Sequence, residues 1–202
     1  MQPIVCGSLA DSVFARDYAP SMFRLRYRVF HERLRWQVQC HDGCEIDQFD
    51  DARSLYMLAS PAPGVTLGGW RLRPTTWPYM LDTVFPQLLD GQPPPRAPGI
   101  WEVSRFAVDA GDGALNFGFN EVARSLVHAV IRHAVDHGIR QYVMVISVAV
   151  ERLLANTGMV LHRFGAPQRI GKVRSVACWL DIDAHTRHVI LGEPAPAMPA
   201  AA

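Results

Sequence analysis

Apolar and polar positions alternate from Ile100 to Val108 (IWEVSRFAV), the period of a half-buried strand. Side chains two apart share a face. The spacing therefore predicts Ile100, Glu102, Ser104, Phe106 and Val108 on one side, and Trp101, Val103, Arg105 and Ala107 on the other. Glu102 then stands in one apolar row and Arg105 in the opposite one. A charge buried in such a strand is costly unless it is paired, and on this strand alone a structural pair fits as well as a functional one.

A helical period precedes it. Phe23, Tyr27, Phe30 and Leu34 fall at i, i+4, i+7 and i+11, an amphipathic helix entered near Pro20-Ser21 and ending before Trp36. Arg26 lies beside its apolar stripe and calls for an acidic partner. Ser54–Ser60 and Val65–Leu72 read as strands joined by the turn Pro61-Ala62-Pro63-Gly64. Tyr79–Leu89 reads as a short helix broken near Pro86, and the proline-rich stretch 92–99 as a loop into the central strand. Beyond Val108 come a glycine-rich loop, a helix over 120–137 stopped by Gly138, an apolar strand over 141–148, a helix over 150–156 and a last strand over 175–182. Strands alternating with helices predict an α/β chain with a mixed sheet covered on its faces. Residues 1–190 form one domain on this reading, and the Pro/Ala-rich tail 191–202 is expected to be disordered.

The chain has 202 residues, 49% hydrophobic, with a formal net charge of +1. That suffices for a sizeable core and gives no global pull toward nucleic acid or a membrane surface. The first residues, MQPIVCGSLADS, lack a basic region followed by an apolar run, and no stretch reaches spanning length, so the cytoplasm is expected. Of the four cysteines, Cys40 and Cys44 flank His41 and Asp42, but a second ligand pair at finger-like spacing is missing, so no metal is expected. Residues 41–52 crowd Glu45, Asp47, Asp50 and Asp51 around Phe49. They suit a solvated turn or a site for a small cation. Their spacing does not match an EF-hand.

The residues Arg26-(x3)-Phe30-(x5)-Trp36, Asp47-(x2)-Asp50, Arg71-Leu72-Arg73-Pro74-Thr75-Thr76, Tyr79-Met80-Leu81 and Trp101-Glu102-Val103-Ser104-Arg105-Phe106, in this order, resemble the acyl-homoserine-lactone synthase (autoinducer synthase) family from about residue 5 to about 185. The resemblance implies an α/β fold, the acetyltransferase-like (GNAT-related) three-layer sandwich, with a mixed, splayed central sheet that admits a phosphopantetheine arm. It implies transfer of an acyl group from a thioester, on acyl carrier protein or coenzyme A, to S-adenosylmethionine. The products would be an acyl-homoserine lactone for quorum sensing and 5′-methylthioadenosine. S-adenosylmethionine would be a substrate, so no cofactor is expected.

Carried over by position, the family's charged set would be Arg26, Asp47, Asp50, Arg71, Glu102 and Arg105, with Phe30 and Trp36 as pocket aromatics and Ser104 beside the glutamate. The resemblance makes Glu102, Ser104 and Arg105 the catalytic group, with the others binding S-adenosylmethionine. The chemistry suits these types. The α-amine must lose a proton before attacking the thioester, and a carboxylate raised by burial is a fair base. Aspartates suit the cationic substrate, arginines brace them or hold its carboxylate, and Trp36 suits adenine or the sulfonium. Met80, Leu81, Val103, Phe106, Val143, Ile146, Ser147 and Leu153 are expected around the acyl chain.

Members using 3-oxoacyl donors often carry threonine five residues before the glutamate of a Glu-Arg pair, here Glu151-Arg152. Ile146 stands there, with Ser147 next, so an acyl chain without a 3-oxo group is expected. Gly111, Gly113 and Gly118 do not fit the acetyltransferase pyrophosphate signature, which favours acyl carrier protein over coenzyme A. That carrier is acidic, and Arg152, Arg163, Arg169, Lys172 and Arg174 are its expected docking residues. Two other readings stand beside this one: a generic small-molecule N-acyltransferase using acyl-coenzyme A, and a non-enzymatic cation sensor.

Overall fold

The computed structural model describes residues 1–109 and 121–195. The glycines Gly111, Gly113 and Gly118, Asn120 and most of the low-complexity tail lie outside the described residues.

The sheet is built from β1 (Ile4–Ser8), β4 (Leu55–Ala59), β5 (Gly68–Pro74), β6 (Ile100–Val108), β7 (Gln141–Ser147), β8 (Leu161–Arg163), β9 (Gln168–Ile170) and β10 (Val173–Asp181). Its order is β1-β4-β5-β6-β7-β10-β8, with β9 also on β10. All neighbours are antiparallel except β6 and β7. Those two pair in parallel only at Ile100↔Gln141, Trp101↔Tyr142 and Glu102↔Val143, and then part.

Three layers result, because the central strands bury both faces. In β4, Met57 and Ala59 pack toward helix α4 (Glu121–Asp136), while Tyr56 and Leu58 pack toward α1 (Ser12–Asp17) and α2 (Ala19–Arg26). Gly68 is required where α4 crosses β5: a Cβ there would lie 2.8 Å from Val122 Cγ1. Helices α5 (Val148–Ala155) and α6 (Ala184–Leu191) complete the α4 side, with Leu154 and Ile190 in the same cluster. On the other side, α3 (Met80–Thr83) and a 3-10 turn (Pro86–Leu89) seat Leu81, Leu88 and Leu89 against Val143 and Ala177. No described helix is long and apolar enough to cross a membrane.

Several expectations need correction. Chain 27–33 is a π-helical turn rather than more α-helix. The acidic loop begins with a hairpin, β2 (Cys40–His41) on β3 (Cys44–Glu45). Cys40 pairs with Glu45 and His41 with Cys44, so the two cysteines point to opposite faces of the hairpin. β1, α1, β8, β9 and α6 were not expected. They are short, and β1, β8 and β9 lack an apolar alternation long enough to register.

The largest correction concerns β6. Arg71 pairs with Ser104 but Gly69 with Ala107, so two residues of β6, Arg105 and Phe106, oppose one of β5, Trp70. This is a β-bulge. Arg105 sits in it with φ of 56°. The extra residue reverses the alternation: Arg105 joins Glu102 and Ser104 on the α2 side, while Phe106 turns to the α4 side, 4.2 Å from Trp70 between ring centroids.

Candidate active site

Arg71 and Arg73, two apart on β5, project to the same face. Across that face runs the loop 45–51, and α2 sends in Arg26 from one side. Asp50 accepts Arg26 Nη1 and Nη2, each at 2.8 Å, Arg71 Nη1 at 3.1 Å, and the Tyr56 hydroxyl at 2.8 Å. Asp47 takes Arg71 Nη1 through Oδ1, and its Oδ2 lies 2.6 Å from Arg105 Nη2. Glu45 accepts Arg26 Nε and, through Oε1, Arg105 Nε at 3.1 Å, with Arg105 Nη2 3.0 Å from the same oxygen in an ion pair. Three guanidiniums thus meet three carboxylates, all six side chains at most 11% exposed. Phenylalanine faces close the cluster: Phe49 under Arg71, Phe30 under Arg105. Phe30 in turn stacks on Trp36 with centroids 5.3 Å apart.

Burial works against the charges of Asp50, Arg26 and Arg71, and pairing outweighs it in each. Burial raises Asp50, but the Arg26 hydrogen bonds and charge hold its carboxyl far below the usual range. Burial lowers Arg26, yet Asp50 and Glu45 lift it above an ordinary arginine. Arg105 is the exception: burial lowers it in spite of Glu45 and Asp47.

Glu102 lies just outside this cluster. Its Oε2 accepts the Met80 amide at 3.1 Å and its Oε1 the Leu81 amide at 2.8 Å, so it caps the first turn of α3. It is 1% exposed, and burial raises its carboxyl above the ordinary value despite those two donors. Ser104 Oγ accepts Arg71 Nε at 3.3 Å. Arg26, Phe30, Trp36, Asp47, Asp50, Arg71, Glu102, Ser104 and Arg105 are therefore brought into one connected arrangement. Trp36 marks its outer rim, 39% exposed in an open recess of about 570 Å³ lined also by His31, Arg35, Gln37, Val38 and Gln39.

The eight residues expected around the acyl chain divide. Leu81 and Val143 share the cluster under α3. Val103, Phe106 and Ile146 pack in the core under α4 instead, Phe106 because of the bulge. Met80 turns its sulfur to Arg71 and Arg105, Ser147 Oγ caps α5 by accepting the Val150 amide, and Leu153 is half-buried on α5. Among the basic residues, Arg163 is tied to Glu151 through Nε at 2.6 Å and Nη2 at 2.8 Å. Arg152, Arg169, Lys172 and Arg174 are exposed. Arg169 and Arg174 stand directly opposite each other on the β9–β10 hairpin.

Sequence reasoning placed Glu45 in the acidic loop but outside the arginine-paired set, and gave Arg73 no role. The signal that could have found Glu45 was the need of buried arginines for acidic partners, which does not single it out among the four acids of loop 45–51. Arg73, 3% exposed, donates to Asp51, Ser54 Oγ and the Phe49 and Pro78 carbonyls, which fastens the acidic loop to the start of α3. Its signal was position alone, two residues after Arg71.

Comparison with known proteins places this site. The autoinducer synthase profile matches residues 12–190. An acyl-homoserine-lactone synthase of Aliivibrio fischeri is 40% identical over 168 residues, covering 82% of this chain and 87% of the relative. The crystal structure of the AHL synthase LasI superposes with a TM-score of 0.85 at 33% identity, covering 98% of each chain. A coenzyme A-dependent synthase, BjaI, with S-adenosylmethionine and isopentyl-coenzyme A bound, gives 0.82 at 31% identity, over 95% of this chain and 89% of that one. A Lactobacillus plantarum protein provisionally named an N-acetyltransferase shares the fold alone, at 0.59 and 14% identity. The chain belongs to the autoinducer synthase family, on an acetyltransferase-like fold. Its activity is that of an acyl-homoserine-lactone synthase, an acyltransferase.

Proposed function

We propose that this enzyme joins S-adenosylmethionine to an acyl group without a 3-oxo substituent, delivered by acyl carrier protein. The observation that carries the reading is the balanced cluster of three guanidiniums and three carboxylates beside a buried, raised Glu102. The cluster itself is neutral. If Glu102 ionises, the site gains one negative charge, which suits a substrate carrying a sulfonium, an ammonium and one carboxylate. Glu102 takes the amine proton, directly or through a water. The amine then forms the C–N bond, the C–S bond of the thioester breaks, and the carrier thiol leaves. In the second step the substrate carboxylate attacks its own γ-carbon, the C–S bond to sulfur breaks, and 5′-methylthioadenosine departs neutral.

Asp47, Asp50, Arg26, Arg71 and Arg105 hold the substrate's charged end, and Trp36 on Phe30 offers a platform for its adenosyl part. No cofactor enters these steps. Residues 1–190 act as one domain, and the cytoplasm is the site of action. Leu81 and Val143, beside the β6–β7 opening, face the acyl chain. Arg169 opposite Arg174 supports an acidic docking partner, since like charges facing across a hairpin are unfavourable until an anion bridges them. Arg152 and Lys172 flank that partner, and Arg163, held by Glu151, adds a fixed charge. Likeness to a coenzyme A-dependent synthase favours acyl-coenzyme A as the second donor reading.

The test is mass spectrometry of organic extracts from a host expressing the chain, beside a Glu102→Ala control. An acyl-homoserine lactone in the first, depleted in the second, supports the reading, and its mass gives chain length and substitution. An acylated product from purified protein without 5′-methylthioadenosine would indicate a generic N-acyltransferase instead.

A further inference from the structure

The two central arginines leave one donor nitrogen each outside the carboxylate network. Arg71 gives Nε to Ser104 and Nη1 to Asp47 and Asp50; its Nη2 points at Met80 Sδ, 3.1 Å away. Arg105 donates Nε to Glu45, and its Nη2 is ion-paired with Glu45 and Asp47; its Nη1 points at the same sulfur, 3.2 Å away. Two cationic donors from different strands therefore converge on a thioether, a weak acceptor. Arg71 is fully buried and Arg105 nearly so. A buried guanidinium N–H normally finds a strong acceptor.

We propose that Met80's sulfur holds the place of the substrate carboxylate, and that binding exchanges the one for the other. This rests on the reading above that the substrate is S-adenosylmethionine. A carboxylate has an oxygen for each converging donor, and charge-assisted N–H···O bonds are stronger than bonds to a thioether. The exchange needs little motion. Glu102 pins the Met80 amide, so the backbone stays, and three rotatable bonds let the thioether swing aside. Met80 thus competes for the point at which both guanidiniums aim, and gives way cheaply. A glutamate or glutamine there would hold the same donors too firmly to release them.

Two measurements test this. In Met80→Leu the competing acceptor is gone, so S-adenosylmethionine binds about three- to tenfold more tightly by calorimetry, the weight of one or two weak hydrogen bonds. Decarboxylated S-adenosylmethionine, which keeps the sulfonium and the amine, binds wild type and variant alike. In wild type carrying 13C-methyl methionine, the Met80 methyl signal moves when S-adenosylmethionine is added and stays when the decarboxylated form is added. This second arm does not depend on the variant's folding. Unchanged or weaker binding of S-adenosylmethionine to Met80→Leu overturns the exchange, as does a methyl signal that moves equally with both ligands. Release of 5′-methylthioadenosine by wild type keeps the synthase reading standing in either case. A wild type that binds neither ligand would remove that reading and this inference with it.

Discussion

Glu45→Gln exposes the charge balance of the site to a direct measurement. The substitution preserves volume and one acceptor oxygen but turns three carboxylates facing three guanidiniums into two facing three. Glu45 is 0% exposed, with Arg26 and Arg105 at 2% and 11%, so water cannot screen the surplus charge. Removing one member of a buried ion pair costs about 3–5 kcal/mol. The retained amide oxygen places the loss near the lower end, about 3 kcal/mol. For a domain of this size each kcal/mol moves Tm by about 2–4 °C, so thermal unfolding followed by circular dichroism at neutral pH should show a drop of about 6–12 °C. Arg105→Met removes the opposite charge. In the double variant two guanidiniums again face two carboxylates, so its loss should fall well short of the sum of the singles. A Tm within about 2 °C of wild type for Glu45→Gln, or strict additivity in the double variant, would refute the reasoning.

Other outcomes follow from the same geometry. Arg35 holds φ of 55° at the exposed end of the π-helical turn, so Arg35→Gly should raise Tm by a few degrees, the relief of about 1 kcal/mol of left-handed backbone strain. Asp51 is held at about 2, first by hydrogen bonds from Arg73. A depressed folded value stabilises above the unfolded carboxyl range and is lost as pH falls toward 2; Asp51→Asn should therefore flatten the decline of Tm between about pH 4 and 2. Reversing Arg169 and Arg174 to glutamate should raise KM for acyl carrier protein thioesters and leave KM for S-adenosylmethionine unchanged, read in initial-rate assays. Ile146→Thr should raise turnover of 3-oxoacyl relative to unsubstituted donors in a donor screen; an unchanged ratio would discount that position, which packs under α4.

Much of this architecture was written in hydrophobic period. β4, β7, β10, α4 and the broken α3 region carry runs long enough to declare themselves, and Gly138 stops α4 where expected. The site was legible chiefly as a set of residue types, and a strand's side-chain period assigned their faces. That period failed at Arg105, because a bulge is a property of pairing: one extra residue in β6 is visible only against β5. Glu45 was hidden among acids that resemble an ordinary solvated turn, and its two arginine partners lie 19 and 60 residues away. The faces of the residues expected around the acyl chain were legible least, since apolar side chains of neighbouring strands look alike until the sheet decides which face each one joins.

The parting of β6 from β7 gives the sheet an edge in its own middle. An unpaired strand edge at the margin of a protein invites other chains to add themselves to it. Here β5 and β10 flank the open strands and helices cover both faces, so another protein's strand finds no approach. The gap costs the fold a row of hydrogen bonds, and its place in the middle of the sheet keeps that unpaired backbone from the aggregating partners that an open edge elsewhere would collect.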